Sequence, residues 1–432
     1  MSSTSWASGS SGDWNTASNW TNGSPHSSST ALITASGVYT VTSSKENTVK
    51  ILEISQGAIL AINAGDVSVT EGTGQRALAG TIEIGNATSL VLGTFDQSQS
   101  GGNTTYKNTG TIAIQSGGSL KVKDAVQIDG GGRIIFSQFG RIGTYVEKNA
   151  SGNMGSLGQL TNENTISGPG VIGAGDNSPY LMFINASNGV IDADGNTLLI
   201  NVGDGGFQND GLVQASTDSG VLSIIGQITN NGRIVSAASG AVIQLAGAQI
   251  NGGTISIVEG ATLLAQEDTN EINTTTTIAN AGTIATDGGR LTIIGSVNNS
   301  TGTVVNSGSL AVSDLFKVTG EVTGGRATIY LSGELELEAT SSVDVLFDGL
   351  SSGVLILNAP EKFTGTVYGF QFNQNVSIDL RDLPFHNPTV SAANGVLTVT
   401  DPSRTITINI GDGSTFIAKK AVNGSTLIFC TN

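Results

Sequence analysis

Residues 209–225 read "NDGLVQASTDSGVLSII", and residues 230–245 read "NNGRIVSAASGAVIQL". Both open on Asn-x-Gly, run into a short apolar strand, turn on Gly or Ser, and run into a second strand. The unit recurs as "NTGTIAIQSGGSLKV" from Asn108, "NGGTISIVEGATLLA" from Asn251 and "NAGTIATDGGRLTII" from Asn280, with weaker copies from Leu78 and Ser300. The glycine ahead of each first strand falls at Gly80, Gly110, Gly132, Gly189, Gly211, Gly232, Gly253, Gly282 and Gly302. From Gly189 to Gly253 the gaps are 22, 21 and 21 residues. The gaps of 30 after Gly80 and 29 after Gly253 read as one repeat carrying an inserted loop.

A strand pair of this length cannot bury its own apolar face, but stacking each copy on the next does so. The strands alternate, as in "TIEI", "TISI" and "LTII", and no stretch has a helical period with charges on its outer face. Leucine-rich, ankyrin and armadillo repeats are therefore excluded. The spacing predicts an all-β chain, a single-stranded right-handed parallel β-helix (solenoid) with an N-terminal cap and a C-terminal β cap or small β domain. The expected divisions are a leader and cap over 1–44, coils of about 21 residues over 45–350, and a C-terminal module over 351–432. About fourteen coils would fit the middle stretch at a strand spacing of about 4.8 Å. Asn108, Asn209, Asn230, Asn251 and Asn280 share one position of the motif. They are expected to stack as a ladder of amides along the axis; the alternative makes each an independent turn residue.

Composition narrows the function. Gly is 60 of 432 residues and Pro only 7, without a Gly-X-Y period, so collagen is excluded. Charged residues are 12%, and 18 Lys plus Arg face 34 Asp plus Glu, for a net charge of −16. Such a surface repels phosphate backbones, and the linear sequence offers no basic patch with interleaved aromatics, so nucleic acid is a poor partner. No run approaches 18 consecutive apolar residues, so no transmembrane helix is expected. The single cysteine, Cys430, allows neither an internal disulfide nor a cysteine metal cluster. The opening residues lack a basic region followed by an apolar stretch, so a removed signal or a leaderless route such as C-terminal-signal secretion is expected.

Two of the three tryptophans, Trp14 and Trp20, sit in "DWNTASNW", residues 13–20. Flat rings there can close the apolar mouth of the first coil, with "ALITASGVYTVTSS" from Ala31 as the first strand pair, or serve as a sugar-stacking platform. The stretch "GDWNTASNWTNGSPHSSSTALI" resembles a Gly-x-Trp-x-x-Ala-x-Asn-Trp-x-x-Gly-x-Pro-x-x-x-Asp-x-Ala-x-Ile signature of large bacterial secreted β-helical surface proteins, among them adhesins and autotransporter-like passengers. Trp14, Ala17, Asn19, Trp20, Gly23, Pro25, Ala31 and Ile33 fit it, while Ser29 stands where that signature carries an acid. "FTGTVYGFQFNQNVSIDLRDLPF" from Phe363 and "ANGVLTVTD" from Ala393 resemble terminal modules of repeat-rich alphaproteobacterial surface proteins. That resemblance implies export, by type I secretion in many such chains, and no catalytic motif.

Chemistry has few places to sit. Asp192 and Asp194 in "GVIDADGN", with Asp204 in "VGDGG", form the best acidic cluster and the weak catalytic candidates. A solvated turn explains them too, and the hard oxygens of "DADGN" suit Ca²⁺, the one cofactor the chain suggests. Glu334, Glu336 and Glu338 in "ELELE" share one strand face and are expected in solvent. His26 and His386 are the only histidines and lie in opposite terminal regions, which argues against a His triad or zinc site. The expected function is a non-enzymatic extracellular structural or adhesive protein: a cell-surface, matrix, S-layer or filament component able to self-associate. The alternatives are a polysaccharide lyase or hydrolase on a β-helix, and a glycan-binding module using the tryptophans.

Overall fold

A computed structural model describes residues 2–93, 104–145, 158–173, 181–274, 276, 278–287, 289–295, 297–298, 303–307, 315–330, 333–347, 352–370, 375–411 and 415–431. The repeat glycine Gly302 lies outside them. Among these residues the regular structure is β-strand with three short 3₁₀ turns, at Ala17–Asn19, Gly203–Gly205 and Pro360–Lys362. The chain forms two compact units, Met1–Arg233 and Ile234–Asn432. Each is a parallel β-solenoid.

In the first unit each full coil carries three strands, one more than the motif predicts. One coil is Thr111–Ile114, Ser119–Val122 and Ala125–Asp129. Thr111 pairs in parallel with Thr81 before it and Arg133 after it, so the 30-residue gap is a single coil with an insertion. Register then runs from Arg133 to Thr165, Val190 and Leu212. Because strand side chains alternate, this register stacks like on like. Ile82, Ile112, Ile134, Ile166, Ile191 and Val213 line up as one buried column. Each such side chain contributes about 1.5–3 kcal/mol on burial.

The repeat glycines answer to crowding between coils. A Cβ on Gly110 would drive into the carbonyl oxygen of Gly80, and one on Gly232 into that of Gly211. Neither residue has positive φ. Pairing also starts earlier than "ALIT": Ser3–Ser5 pairs in parallel with Thr30–Leu32, and Gly12–Asp13 with Val41–Thr42.

The second unit repeats the three-strand coil, as in Thr254–Ile257, Thr262–Gln266 and Thr269–Asn273. Its parallel pairing ends at two strands, Thr405–Ile410 against Thr366–Tyr368 and, against Val354–Leu357, Ser377–Pro384. That strand pairs antiparallel with Ser425–Cys430, which pairs antiparallel with Phe416–Lys420. A meander of Thr389–Ala393, Val396–Thr400 and Thr405–Ile410 lies beside it. Its first turn is Asn394-Gly395, both at positive φ, the chemistry a two-residue hairpin requires. Phe370 packs 5.3 Å from both Phe347 and Phe416, filling the space where the parallel coils stop.

Candidate functional site

Three sets of side chains stand out: an aromatic cluster, an asparagine array and a charged row. The aromatic cluster belongs to the first unit. Trp14 is fully buried and Trp20 is 3% exposed, which overturns the sugar-stacking alternative, since stacking needs an open ring face. Their centroids lie 5.0 Å apart at 68°, and the Trp20 indole donates a 2.7 Å hydrogen bond to the Trp14 carbonyl. Sequence reasoning missed Trp6, which meets Trp20 edge-on at 5.1 Å and stacks parallel to Tyr39 at 6.5 Å. The backbone amides of Trp6 and Trp14 reach across to the carbonyls of Leu32 and Thr42, both at 2.8 Å.

The same segment covers a strand edge. Thr21 donates its amide to the Ser5 carbonyl, Ser5 donates to the Thr21 hydroxyl, and Asn22 donates its side-chain amide to the Ser3 carbonyl. The Thr4 hydroxyl donates to the Gly23 carbonyl. Ser3–Ser5 therefore presents little free backbone to another strand.

The asparagine array runs through buried space in the first unit. Asn162 donates to the Asn185 side-chain oxygen at 3.0 Å, Asn185 to Asn209 at 2.9 Å, and Asn209 to Asn230 at 2.8 Å. Asn108 joins through Asn164, donating to its oxygen at 3.0 Å, and the Asn164 backbone amide donates to the Asn162 oxygen at 3.1 Å. All six are buried. Asn162, Asn164 and Asn185 escaped the motif search because their distance to the next glycine varies: Asn185 stands four residues before Gly189, where Asn209 stands two before Gly211. The common signal was an asparagine ahead of a Thr/Val-Ile strand start.

Within the second unit, Asn251 and Asn280, expected at one repeat position, occupy different ones. Asn251 is exposed and pairs with Asn273; Asn280 is buried and pairs with Ile257. Gly253 leads into Thr254–Ile257, but Gly282 leads into Thr283–Asp287, which pairs with Thr262–Gln266 on another face. Asn-x-Gly marks a tight corner, and a three-strand coil has more than one.

The charged row lies in the second unit. Glu336 is 8% exposed, not solvated, because its strand lies between those of Lys317 and Asn358. Its Oε1 accepts from Asn358 at 2.7 Å and from the Lys317 ammonium at 3.3 Å. Lys317 also pairs with Glu338, which, ahead of the Glu336 charge, holds its ammonium above the usual lysine range. Burial pushes Glu334 above the usual carboxylate range, opposed by the Arg381 charge. Asp379 accepts from Ser425 at 2.5 Å and from Arg381 at 2.9 Å, tying Ser377–Pro384 to its antiparallel partner Ser425–Cys430.

The sequence-predicted acids have different surroundings. Asp192 is half-buried and accepts from Gln214 on the next coil at 2.9 Å, while Asp194 and Asp204 are exposed. Among the described residues no three His, Cys, Asp or Glu side chains group so as to hold a metal ion. Among them, too, no helix is long and apolar enough to cross a membrane. Fold and array together define the class, a parallel β-solenoid with a buried amide ladder. No family model, curated protein or solved structure matches the chain.

Proposed function

We propose that this protein is a non-enzymatic structural or adhesive solenoid that works outside a bacterial cell, at its surface or in its matrix. The observation that carries the reading is where the polar chemistry is spent. The buried asparagines bond coil to coil, and Glu336 and Asp379 are consumed by neighbours that staple strands together. An enzyme of this class needs carboxylates converging on open space. The resemblance around Trp14 and Trp20 supports export, with type I secretion as the route.

Self-association in this reading is lateral. The covered edge at Ser3–Ser5 disfavours adding a further coil there. Electron microscopy and light scattering of purified protein, across salt and Ca²⁺, test this. Side-by-side layers or bundles are expected. Monodisperse monomers under every condition would sink the assembly reading, and turnover of a polysaccharide abolished by Glu336→Gln would sink the non-enzymatic one.

A further inference from the structure

One sheet of the first unit turns a regular, two-row face outward. Eight of its strands stack in parallel from Tyr39–Ser43 to Leu212–Ala215, by way of Thr81–Ile84, Thr111–Ile114 and Arg133–Phe136. Ile82, Ile112 and Ile134 are buried, so the residues that alternate with them point outward. One outward row runs from Thr40 through Thr81, Thr111 and Arg133 to Leu212. The other runs from Thr42 through Glu83, Ala113 and Ile135 to Gln214. Arg133 is exposed and the other nine are half-buried, as neighbours on a flat sheet shield one another. The corners that follow the central strands are short, at 85–88, 115–118, 137–139 and 168–169, and raise no long loop beside the face.

Charge on this face is sparse, and part of it is unspent. Asp192 accepts from Gln214 within the chain. Elsewhere in the unit, Lys50 pairs with Glu71 at 2.9 Å and Arg76 with Glu53 at 3.0 Å. Glu83 and Arg133 point outward two coils apart, and among the described residues neither side chain has an ion-pair partner. The strand between them presents two small side chains, Thr111 and Ala113.

This spacing is self-complementary. A two-fold axis lying in the face along Thr111–Ile114 sets a second copy antiparallel on the first. Thr111 and Ala113 then meet their own counterparts, small against small. Arg133 of each copy falls opposite Thr81 of the other, and Glu83 opposite Ile135, so like charges stay apart. Thr81 and Glu83 are two residues apart on one strand, about 7 Å. A guanidinium on its long stem reaches that far, and the symmetry makes the contact twice.

We propose that this face docks a second copy of the chain, antiparallel, through two reciprocal Glu83–Arg133 ion pairs. The pairing rests on the lateral assembly read above and assigns it a surface. A chain of net charge −16 repels its copies in general, so association needs opposite charges set in register. Eight strands about 4.8 Å apart, each giving four residues of about 3.3 Å, make a face of about 34 by 13 Å. Two such faces bury about 900 Å², under the usual range for a stable complex, so the pair is weak and concentration-dependent.

The experiment is sedimentation velocity of the full chain over a concentration series at physiological salt. The parent is expected to pass from monomer to dimer. Arg133→Glu and Glu83→Arg should each weaken pairing by about tenfold or more, and the double variant should restore it. Ala113→Trp, on the axis, should weaken it without changing charge. Lys107→Glu, exposed on another sheet, should leave it unchanged. Melts at dilutions where the chain is monomeric check that each variant folds. Independently, Thr111→Cys should be joined to its copy by a short bis-maleimide. Leu212→Cys, about 38 Å from its counterpart, should not, and the parent with its buried Cys430 is the blank. Pairing undiminished in a folded Arg133→Glu, no rescue in the double variant, or no joining at Thr111→Cys would each overturn this face while leaving lateral assembly standing. A parent that stays monomeric at every concentration would overturn both.

Discussion

At the scale of single residues, the amide array and the aromatic cluster make opposite demands on a substitution. Asn185 both donates to Asn209 and accepts from Asn162 in buried space. Replacing it with alanine strands a donor on one side and an acceptor on the other. Asn185→Ala is expected to lower stability by about 1–3 kcal/mol in urea unfolding. Asn251→Ala, at an exposed site, should stay within about 0.5 kcal/mol of the parent. Trp20 fills volume between two other tryptophans, so Trp20→Ala should cost about 3 kcal/mol by the same measurement and promote aggregation. A result in which Asn185→Ala costs no more than Asn251→Ala would remove the ladder from any account of stability.

At the scale of elements, the coil spacing sets which glycines are obligatory. Each strand sits about 4.8 Å from the next. Where a corner closes on the corner below, as at Gly110 over Gly80, even a methyl group displaces backbone. Gly110→Ala should therefore cost about 1–3 kcal/mol, the range for overpacking a filled site. Gly143→Ala, where a Cβ would meet the Gly173 carbonyl oxygen at an ordinary 3.6 Å, should be neutral. Paired thermal melts compare the two directly, and an equal loss in both would mean that glycine entropy, not crowding, explains the repeat.

At the scale of the whole molecule, each unit carries a carboxylate whose acidity is tied to its fold. In the first unit the Ser44 hydroxyl, then the Asn15 backbone amide, hold Asp13 below the usual aspartate range. In the second, the Ser403 backbone amide and hydroxyl, then His386, do the same for Asp401. A carboxylate with a lowered folded value binds fewer protons folded than unfolded. Its stabilisation is complete above the unfolded value, about 4, and disappears as the pH falls through the folded value. Asp401→Asn should thus be less stable than the parent at neutral pH, with the gap closing below about pH 4. Urea midpoints measured from pH 7 downward check this, and a gap that persists in strong acid would assign the loss to packing.

Sequence alone determined the architecture, because a solenoid writes its period into the chain. Like residues fall on like in successive coils, so the spacing of Gly189, Gly211 and Gly232 carries both the strand type and the stacking. It also placed Asn209 and Asn230, whose coils lack insertions. What it could not fix was which face of a coil each motif occupies. Asn-x-Gly serves any tight corner, so Asn251 and Asn280 share a motif while sitting at different corners of the second unit, and the third strand of each coil went unseen. Only tertiary structure decided the rest. Trp6 gains its role by folding back over Trp20, and Glu336 is buried by strands supplying Lys317 and Asn358. Parallel register, which turns about twenty residues of chain into one 4.8 Å step, makes Lys317 and Glu336 neighbours.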